Sequence, residues 1–303
     1  MRHWTVAVAV AAVAALVASC GGHNASGPGP TTTTTTTTKP PPPVAQAALG
    51  GILLTPAEID GLLGLTGTKS KEKVDKLVDD NAKQQWPAGW KFPDECLYAL
   101  NPAEAPVYAD SGFTAVSGDD DVASLPPGSS EPDPELTQAV VLFPSANEAN
   151  AFFAASAQKW PACNNRQFTT PGGPDNPELA WKVGTTANTN GILTTTISVT
   201  MNVTPPPANG AGSSTVSCQR ALTVRNNVAI DVSGCRQDPG DLGVKAANQI
   251  AGKADSANAN FLAGSVSKGY GLNNCRPAPA AKLTGQVLAG LDCGQNPDPG
   301  GPV

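Results

Sequence analysis

Apolar positions recur along this chain in short runs, and their spacing switches between helical and strand periods. Ile52-Leu53-Leu54 opens the folded region, and Thr55-Pro56-Ala57-Glu58 follows as a helix start. Thr55 suits the N-cap, Pro56 sits at the first helical position where its missing N–H costs nothing, and Glu58 completes a capping box. Ile59, Leu62, Leu63 and Leu65 then supply one apolar face. A second helical pattern is expected through Val74, Leu77 and Val78, with lysines and acids opposite. Residues 112–117 read as a strand, Asp119-Asp120-Asp121 and Pro126-Pro127-Gly128 as an exposed loop, and 136–143 as a second strand. Ser145-x-x-Glu148 is another capping box, opening a helix through Ala149, Phe152, Phe153 and Ala157 that stops near Trp160-Pro161. Strand patterns follow at 166–170, 179–183 and 191–202.

The segment from Cys218 to Cys235 can be read down to its register. Two β-prone runs flank Asn226-Asn227, and Asn tolerates the positive φ that a two-residue hairpin turn requires. Such a turn pairs Arg225 with Val228, and stepping outward places Cys218 opposite Cys235. Alternation of pair types makes that pair a non-hydrogen-bonded one, where the backbones approach most closely. A cross-strand Cys218–Cys235 disulfide follows from this geometry. Beyond it, Asp238-Pro239 begins a helix of roughly twenty residues with Leu242, Ala246, Ile250 and Phe261 facing the core. The segment after it, rich in Gly, Pro and Asn, holds Cys275 and Cys293 and reads as an appended loop closed by its own disulfide.

The N-terminus has a different character. Arg2 and His3 precede an apolar stretch over 5–18, and Val17-Ala18-Ser19-Cys20 ends it. That arrangement resembles a bacterial lipobox, with cleavage before Cys20 and acylation, palmitate included, of the new terminus. The apolar stretch is shorter than the about 20 residues a bilayer span needs. Two or three acyl chains, at about 0.8 kcal/mol per buried methylene, would anchor the protein stably. The organisation expected is a signal peptide over 1–19, a tether over 20–47, a folded domain over 48–263 and a C-terminal extension over 264–303. The tether carries eight consecutive threonines, Thr31–Thr38, and then Lys39 and Pro40–Pro43. Such a segment has nothing to bury and favours extended polyproline II conformations, a semi-rigid spacer.

Composition narrows the chemistry. The only histidines are His3 and His23, so the folded region has none. A Ser-His-Asp triad, a Cys-His pair and a histidine-bearing zinc site are excluded there. With Cys20 set aside, Cys96, Cys163, Cys218, Cys235, Cys275 and Cys293 remain, an even set that reads as disulfides in an exported protein. The formal charge of −6 shows no basic face for nucleic acid.

Trp160-x-x-Cys163, Cys218-Gln219-Arg220-Ala221-Leu222 and Asn226-Asn227-Val228-Ala229-Ile230-Asp231-Val232 resemble the PknH-like extracellular sensor domain of mycobacteria. Ala103-Glu104-Ala105-Pro106-Val107-Tyr108 and the helix over 145–160 fit the same pattern, and the resemblance covers about residues 50–263. It implies an α+β fold in which helices flank an antiparallel sheet and form a cleft, stabilised by disulfides. It also implies the pairings Cys96–Cys163 and Cys218–Cys235, which leaves Cys275–Cys293 by elimination. The extension departs from the family. No phosphate loop preceding a strand lysine, H-R-D or D-F-G motif is present, so the chain carries no kinase core.

Other candidates have ordinary competing uses. Asp119-Asp120-Asp121 lacks the alternating ligands and distal Glu of a calcium loop and reads as a solvated turn. Arg220, Arg225 and Arg236 could hold an anion, but pairing with carboxylates such as Asp231 is the commoner use. Trp160, Trp181, Phe152 and Phe153 could line a cleft, against core packing. Asp79-Asp80 reads as a solvated helix terminus. The chain is therefore expected to be a non-catalytic, membrane-anchored module on the extracytoplasmic face. It would bind a small envelope ligand or a partner protein, with no cofactor and no metal. The alternative is a lipid or glycolipid carrier, which needs a large apolar cavity. A carboxylate hydrolase would need two acids about 5–10 Å apart in a cleft, and no pair nominates itself.

The anchor has a direct test. Cys20→Ser is expected to move the processed protein from the membrane fraction to the soluble fraction. Retention of the processed variant on the membrane would exclude lipidation at Cys20.

Overall fold

The computed structural model describes residues 41–82, 89–129, 131–173, 177–202, 213–269, 276–277 and 291–292. Side chains from residue 258 onward are outside the description. The helices are α1 (Leu49–Ile52), α2 (Pro56–Leu63), α3 (Leu97–Leu100), α4 (Ala105–Tyr108), α5 (Ala146–Lys159) and α6 (Leu242–Gly269). The strands are β1 (Lys69–Val74), β2 (Ala115–Val122), β3 (Glu135–Leu142), β4 (Gln167–Thr170), β5 (Glu178–Val183), β6 (Ala187–Thr189), β7 (Ile192–Asn202), β8 (Ser213–Arg225) and β9 (Val228–Arg236). They form one antiparallel sheet in the order β1-β2-β3-β9-β8-β7-β5-β4, with β6 paired to β7. Two further two-residue strands, β10 (Arg276–Pro277) and β11 (Leu291–Asp292), pair with each other. Cys275 and Cys293 flank that ladder in sequence but lie outside the described residues, as does Cys20.

Alternation along the central strands splits the core in two. Val228, Ile230 and Val232 face α6 with Ala246, Ile250 and Ala254, and α1 and α2 complete that layer. Ala229, Val141 and Leu222 face the other way, towards α3, α4, α5 and Trp160. The start of α6 lies so close to β8 and β9 that only glycine fits. A Cβ on Gly243 would sit 2.4 Å from the Gln219 carbonyl oxygen, and one on Gly234 would sit 2.6 Å from Leu242 Cγ. Leu242, Ala246 and Ile250 are buried as their spacing predicts.

Local signals translate directly. Thr55 Oγ1 accepts from the Glu58 N–H, and the Glu58 carboxylate accepts from the Thr55 N–H (2.7 Å), so the capping box is complete. Gly64 closes α2 in the left-handed region at φ 68°. Ser145 caps α5 by accepting from the Glu148 N–H. Arg225 pairs with Val228 and Cys218 with Cys235, the register expected, and Asn226 sits at φ 51°. Among the described residues, disulfides join Cys218 to Cys235 with Cα atoms 3.9 Å apart, and Cys96 to Cys163 with Cα atoms 4.7 Å apart.

Several expectations are corrected. Lys69–Val74 is a strand followed by irregular chain, and no helix runs through Val74, Leu77 and Val78. Its alternating lysines protect an exposed sheet edge. Asp119-Asp120-Asp121 is not a loop; it lies within β2, with Asp119 and Asp121 buried. α6 runs to Gly269, past the expected boundary at 263, because an isolated glycine at 264 weakens a helix without ending it. The folded part also begins before residue 48. Val44 is 4% exposed, and its N–H donates to Asn227 Oδ1 (2.6 Å). Asn227 Nδ2 donates to the carbonyls of Val44 (3.2 Å) and Phe143 (2.8 Å), while Asn226 Nδ2 donates to that of Pro42. The hairpin tip thus clips the incoming chain, a non-local use of residues that look like spacer.

Asn227→Ala is expected to lower stability by about 2–4 kcal/mol, because it strands buried backbone groups of Val44 and Phe143. Urea unfolding checks this; a loss below about 0.5 kcal/mol would show that the clip contributes nothing.

Candidate ligand cleft

A cleft of about 300 Å³ opens on the sheet face opposite α6. Val74, Asp120, Thr137 and Ala139 of β1, β2 and β3 form its floor, with Glu72 at the rim. Val78 and Asp80 come from the loop after β1, and Asn101, Pro102 and Ala103 from the segment before α4. Phe92 and Trp181 complete the lining. Their rings meet edge to face at 5.2 Å, and Phe168 stacks on Trp181 at 5.8 Å. A shallower depression near Gly64, Leu65 and Pro126 carries no charged or aromatic side chain.

The wall at 101–104 is held from behind by a buried ion pair. Arg220 is 1% exposed, and its Nη2 lies 2.7 Å from Asp231 Oδ1. Arg220 Nη1 donates to the Val232 carbonyl (2.6 Å) and Nη2 to the Asn101 carbonyl (3.1 Å). The guanidinium also lies over the Trp160 ring, 5.4 Å from its centroid. Asp231 Oδ2 accepts from the Ala103 N–H (3.0 Å) and the Tyr108 hydroxyl (2.9 Å). Burial, and then the Asp231 charge, push the Tyr108 hydroxyl well above its ordinary range, so it acts only as a neutral donor. Ala103 occupies the left-handed region at φ 54°, a conformation that costs a non-glycine residue about 1 kcal/mol or more. Asp231 fixes that strained residue at the cleft surface.

Two carboxyl groups meet at the same wall, Asp80 on the lining and Glu104 behind it. Val78 and Glu104 form an isolated bridge, and the Asp80 N–H donates to Glu104 Oε1 (3.0 Å). Asn101 Nδ2 donates to Asp80 Oδ2 (2.5 Å). Burial, and then the adjacent Asp80 charge, raise the Glu104 carboxyl to about 8. Glu104 does not line the cleft, so the two acids do not flank an open space as hydrolytic carboxylates do.

Strand alternation separates the three consecutive aspartates. Asp120 points into the cleft, where the Thr137 hydroxyl donates to it (3.0 Å). Asp119 faces the other way and meets Ser70 and Lys73. Asp121 accepts from Gln138 Nε2 (2.9 Å), and Gln138 also bonds both backbone groups of Leu54. Burial raises the Asp121 carboxyl above its ordinary value. Among the described residues no three His, Cys, Asp or Glu side chains come together as a metal site.

The remaining candidates divide clearly. Arg220 is internal and paired with Asp231, while Arg225 reaches Asp255 at 3.9 Å. Trp160 and Phe152 are core residues, Phe152 stacking on Tyr108 at 4.4 Å. Phe153 packs half-buried against the same cluster, and Trp181 alone of the four lines the cleft. Sequence reading missed Asp80, Asn101 and Ala103 as cleft residues. A Pro-rich turn and an acidic pair carry no local mark of a shared wall.

The family model of the PknH-like extracellular domain matches residues 44–253. The chain belongs to that family. It is 32% identical over 192 residues to the serine/threonine-protein kinase PknH of Mycobacterium bovis, and equally to that of Mycobacterium tuberculosis. The alignments cover 63% of this chain but only 28% and 27% of those kinases, so the chain spans little more than a quarter of these curated relatives. The crystal structure of the extracellular domain of PknH from Mycobacterium tuberculosis superposes with a TM-score of 0.55 at 26% identity. That match covers 71% of this chain and 98% of the solved one. The PknH-like domain is thus an antiparallel sheet with helices on both faces, as expected. It matches an extracellular region of a kinase and not a catalytic one. Among the described residues no helix is long and apolar enough to cross a membrane.

Glu104 gives the PknH-like domain a signed pH dependence. Its folded carboxyl titrates near 8 against an ordinary 4.5, so between those values the folded state holds a proton that the unfolded state has lost. The stability it contributes is complete below 4.5 and is lost as pH rises through about 8. Asp121 acts in the same direction. Glu104→Gln is expected to flatten the decline in stability from about pH 5 to about pH 8 in urea melts. An unchanged slope would show that Glu104 is ionised in the folded protein.

Proposed function

We propose that this chain is a non-catalytic, lipid-anchored receptor on the extracytoplasmic face of the membrane, and that its cleft binds a small envelope ligand. The observation that carries the reading is Ala103. A strained, non-glycine residue forms part of the cleft surface, and a buried ion pair on the central strands is used to hold it there. The lipobox-like ending at Cys20 and the Thr/Pro tether support a domain held away from a membrane surface. The family supports a sensing role, since the relatives named as PknH are kinases and the matched part is their extracellular domain.

The carrier alternative is less well supported. Lipid cavities are enclosed and apolar, whereas this cleft is about 300 Å³, open, and lined by Glu72, Asp80 and Asp120.

Native mass spectrometry of the mature chain taken from its own cell envelope tests the proposal. A mass excess that disappears on denaturation, and is missing from a Thr137→Trp variant whose cleft is filled, is expected. A ligand that persists in Thr137→Trp would place binding elsewhere and overturn the assignment of the cleft.

A further inference from the structure

We propose that Cys218–Cys235 is a redox-labile bond, opened by small extracytoplasmic thiols while Cys96–Cys163 stays closed, and that its opening loosens the brace on the segment at 101–104. This does not require the cleft to bind a ligand. The first argument is access. Thiol–disulfide exchange needs a thiolate to reach a sulfur, and exposed disulfides are the labile ones. Cys96 and Cys163 are each 0% exposed, packed into the core layer that holds Trp160. Cys218 and Cys235 are both half-buried, near the open end of the β8–β9 hairpin.

The second argument is an asymmetry within the pair. Ser233 Oγ lies 3.7 Å from Cys235 Sγ. A disulfide sulfur has no proton to give, so the Ser233 hydroxyl is the donor. That donation stabilises negative charge on Cys235 and makes it the better leaving group. Glu135, opposite Cys235 on β3, is countered by Lys71 at 3.5 Å. The incoming thiolate therefore attacks Cys218 Sγ and bonds to it. The Cys218–Cys235 bond breaks, and Cys235 leaves as a thiolate that takes a proton from water. A second thiolate then attacks the external sulfur of the mixed disulfide and releases Cys218. Two external thiols are oxidised to one disulfide, and the protein bond is reduced by two electrons.

The third argument is position. Cys218 lies two residues from Arg220, and Cys235 four residues from Asp231, all on one face of the sheet. Pairing of β8 with β9 ends at Ser217 and Arg236, one pair beyond the bond, so the disulfide is the outermost covalent tie between them. The strands themselves survive its loss. β8 stays paired to β7 from Ser213 to Leu222, β9 to β3 from Val228 to Cys235, and Asn227 still clips the tip. Opening thus frees the hairpin end beside Arg220 and Asp231, which hold the Asn101 carbonyl and the Ala103 N–H.

The test is graded reduction of the full mature chain in detergent with dithiothreitol, quenched with N-ethylmaleimide and read by peptide mass spectrometry. Cys218 and Cys235 are expected to label at least about tenfold faster than Cys96 and Cys163, with near-ultraviolet circular dichroism still native. With glutathione, early adducts are expected on Cys218, and Ser233→Ala is expected to slow the reaction and spread adducts over both sulfurs. In the reduced, alkylated protein the Ala103 amide is expected to exchange hydrogen about tenfold faster. Equal labelling of the two pairs, or opening of Cys218–Cys235 only at the rate of global unfolding, would overturn the proposal. Selective opening with unchanged exchange at Ala103 would overturn the link to the wall. Early adducts on Cys235, or a Cys218 preference that Ser233→Ala leaves intact, would overturn the assigned direction of attack.

Discussion

Arg220 and Asp231 meet in the interior on neighbouring central strands, where desolvating each ion costs several kcal/mol. A pair in that position is a poor device for stability alone, since well-packed apolar residues would serve as well or better. What apolar residues cannot do is hold polar groups at fixed points. The guanidinium reaches two carbonyls on separate segments, and the carboxylate takes the Ala103 N–H and the Tyr108 hydroxyl. The pair thereby couples the centre of the sheet to the segment at 101–104. Without it, the left-handed conformation of Ala103 would rest on the Val78 N–H bond to its carbonyl alone, and the wall would be held from one side only.

The hairpin that carries this pair is held at both ends. Near its open end, Cys218 is bonded to Cys235 across a close pair. At its tip, Asn226 and Asn227 clip Pro42, Val44 and Phe143. Register matters greatly between those points, because a slip of one residue would send Arg220 to the α6 face and Ala221 to the cleft side. Both restraints resist that slip. The second disulfide, Cys96–Cys163, lies buried in the other core layer, fixing the start of α3 against the turn that follows α5.

Legibility from sequence followed the range of the interactions. The capping box at Thr55, the limits of α5 and the register of the hairpin were readable because each depends on residues close in the chain. The Arg220–Asp231 pairing was available for the same reason, since the hairpin brings the two together. The segment Lys69–Val74 was misread because its charges alternate on an exposed edge strand, with no apolar face to announce the period. The aspartates at 119–121 were misread because a charged run ordinarily marks solvent. Here Gln138 and Lys73 supply partners from other strands, which no local pattern reveals. Val44 was assigned to the tether because its partner, Asn227, lies far along the chain. The cleft was least legible of all, since its lining comes from several separated segments and only the fold gathers them.

The two faces of the sheet also divide the work. Val44, α1, α2 and α6 belong to one core layer, so the chain joins the domain on that side. Asp120, Thr137 and Ala139 point from the opposite side, where the segment between α3 and α4, held by the Arg220 network, walls the cleft. Strand alternation enforces the separation within single strands: Gln138 binds Leu54 on the first side, while its neighbours Thr137 and Ala139 floor the cleft on the second. A ligand in the cleft therefore need not displace the segment through which the chain enters. β3 and β9 belong to both sides, since their residues alternate between the two layers. The Asn226-Asn227 clip at the tip of the β8–β9 hairpin is where movement of β9 would be felt by the incoming chain. The same hairpin thus braces the wall at 101–104 through Arg220 and Asp231 and holds the incoming chain through Asn226 and Asn227.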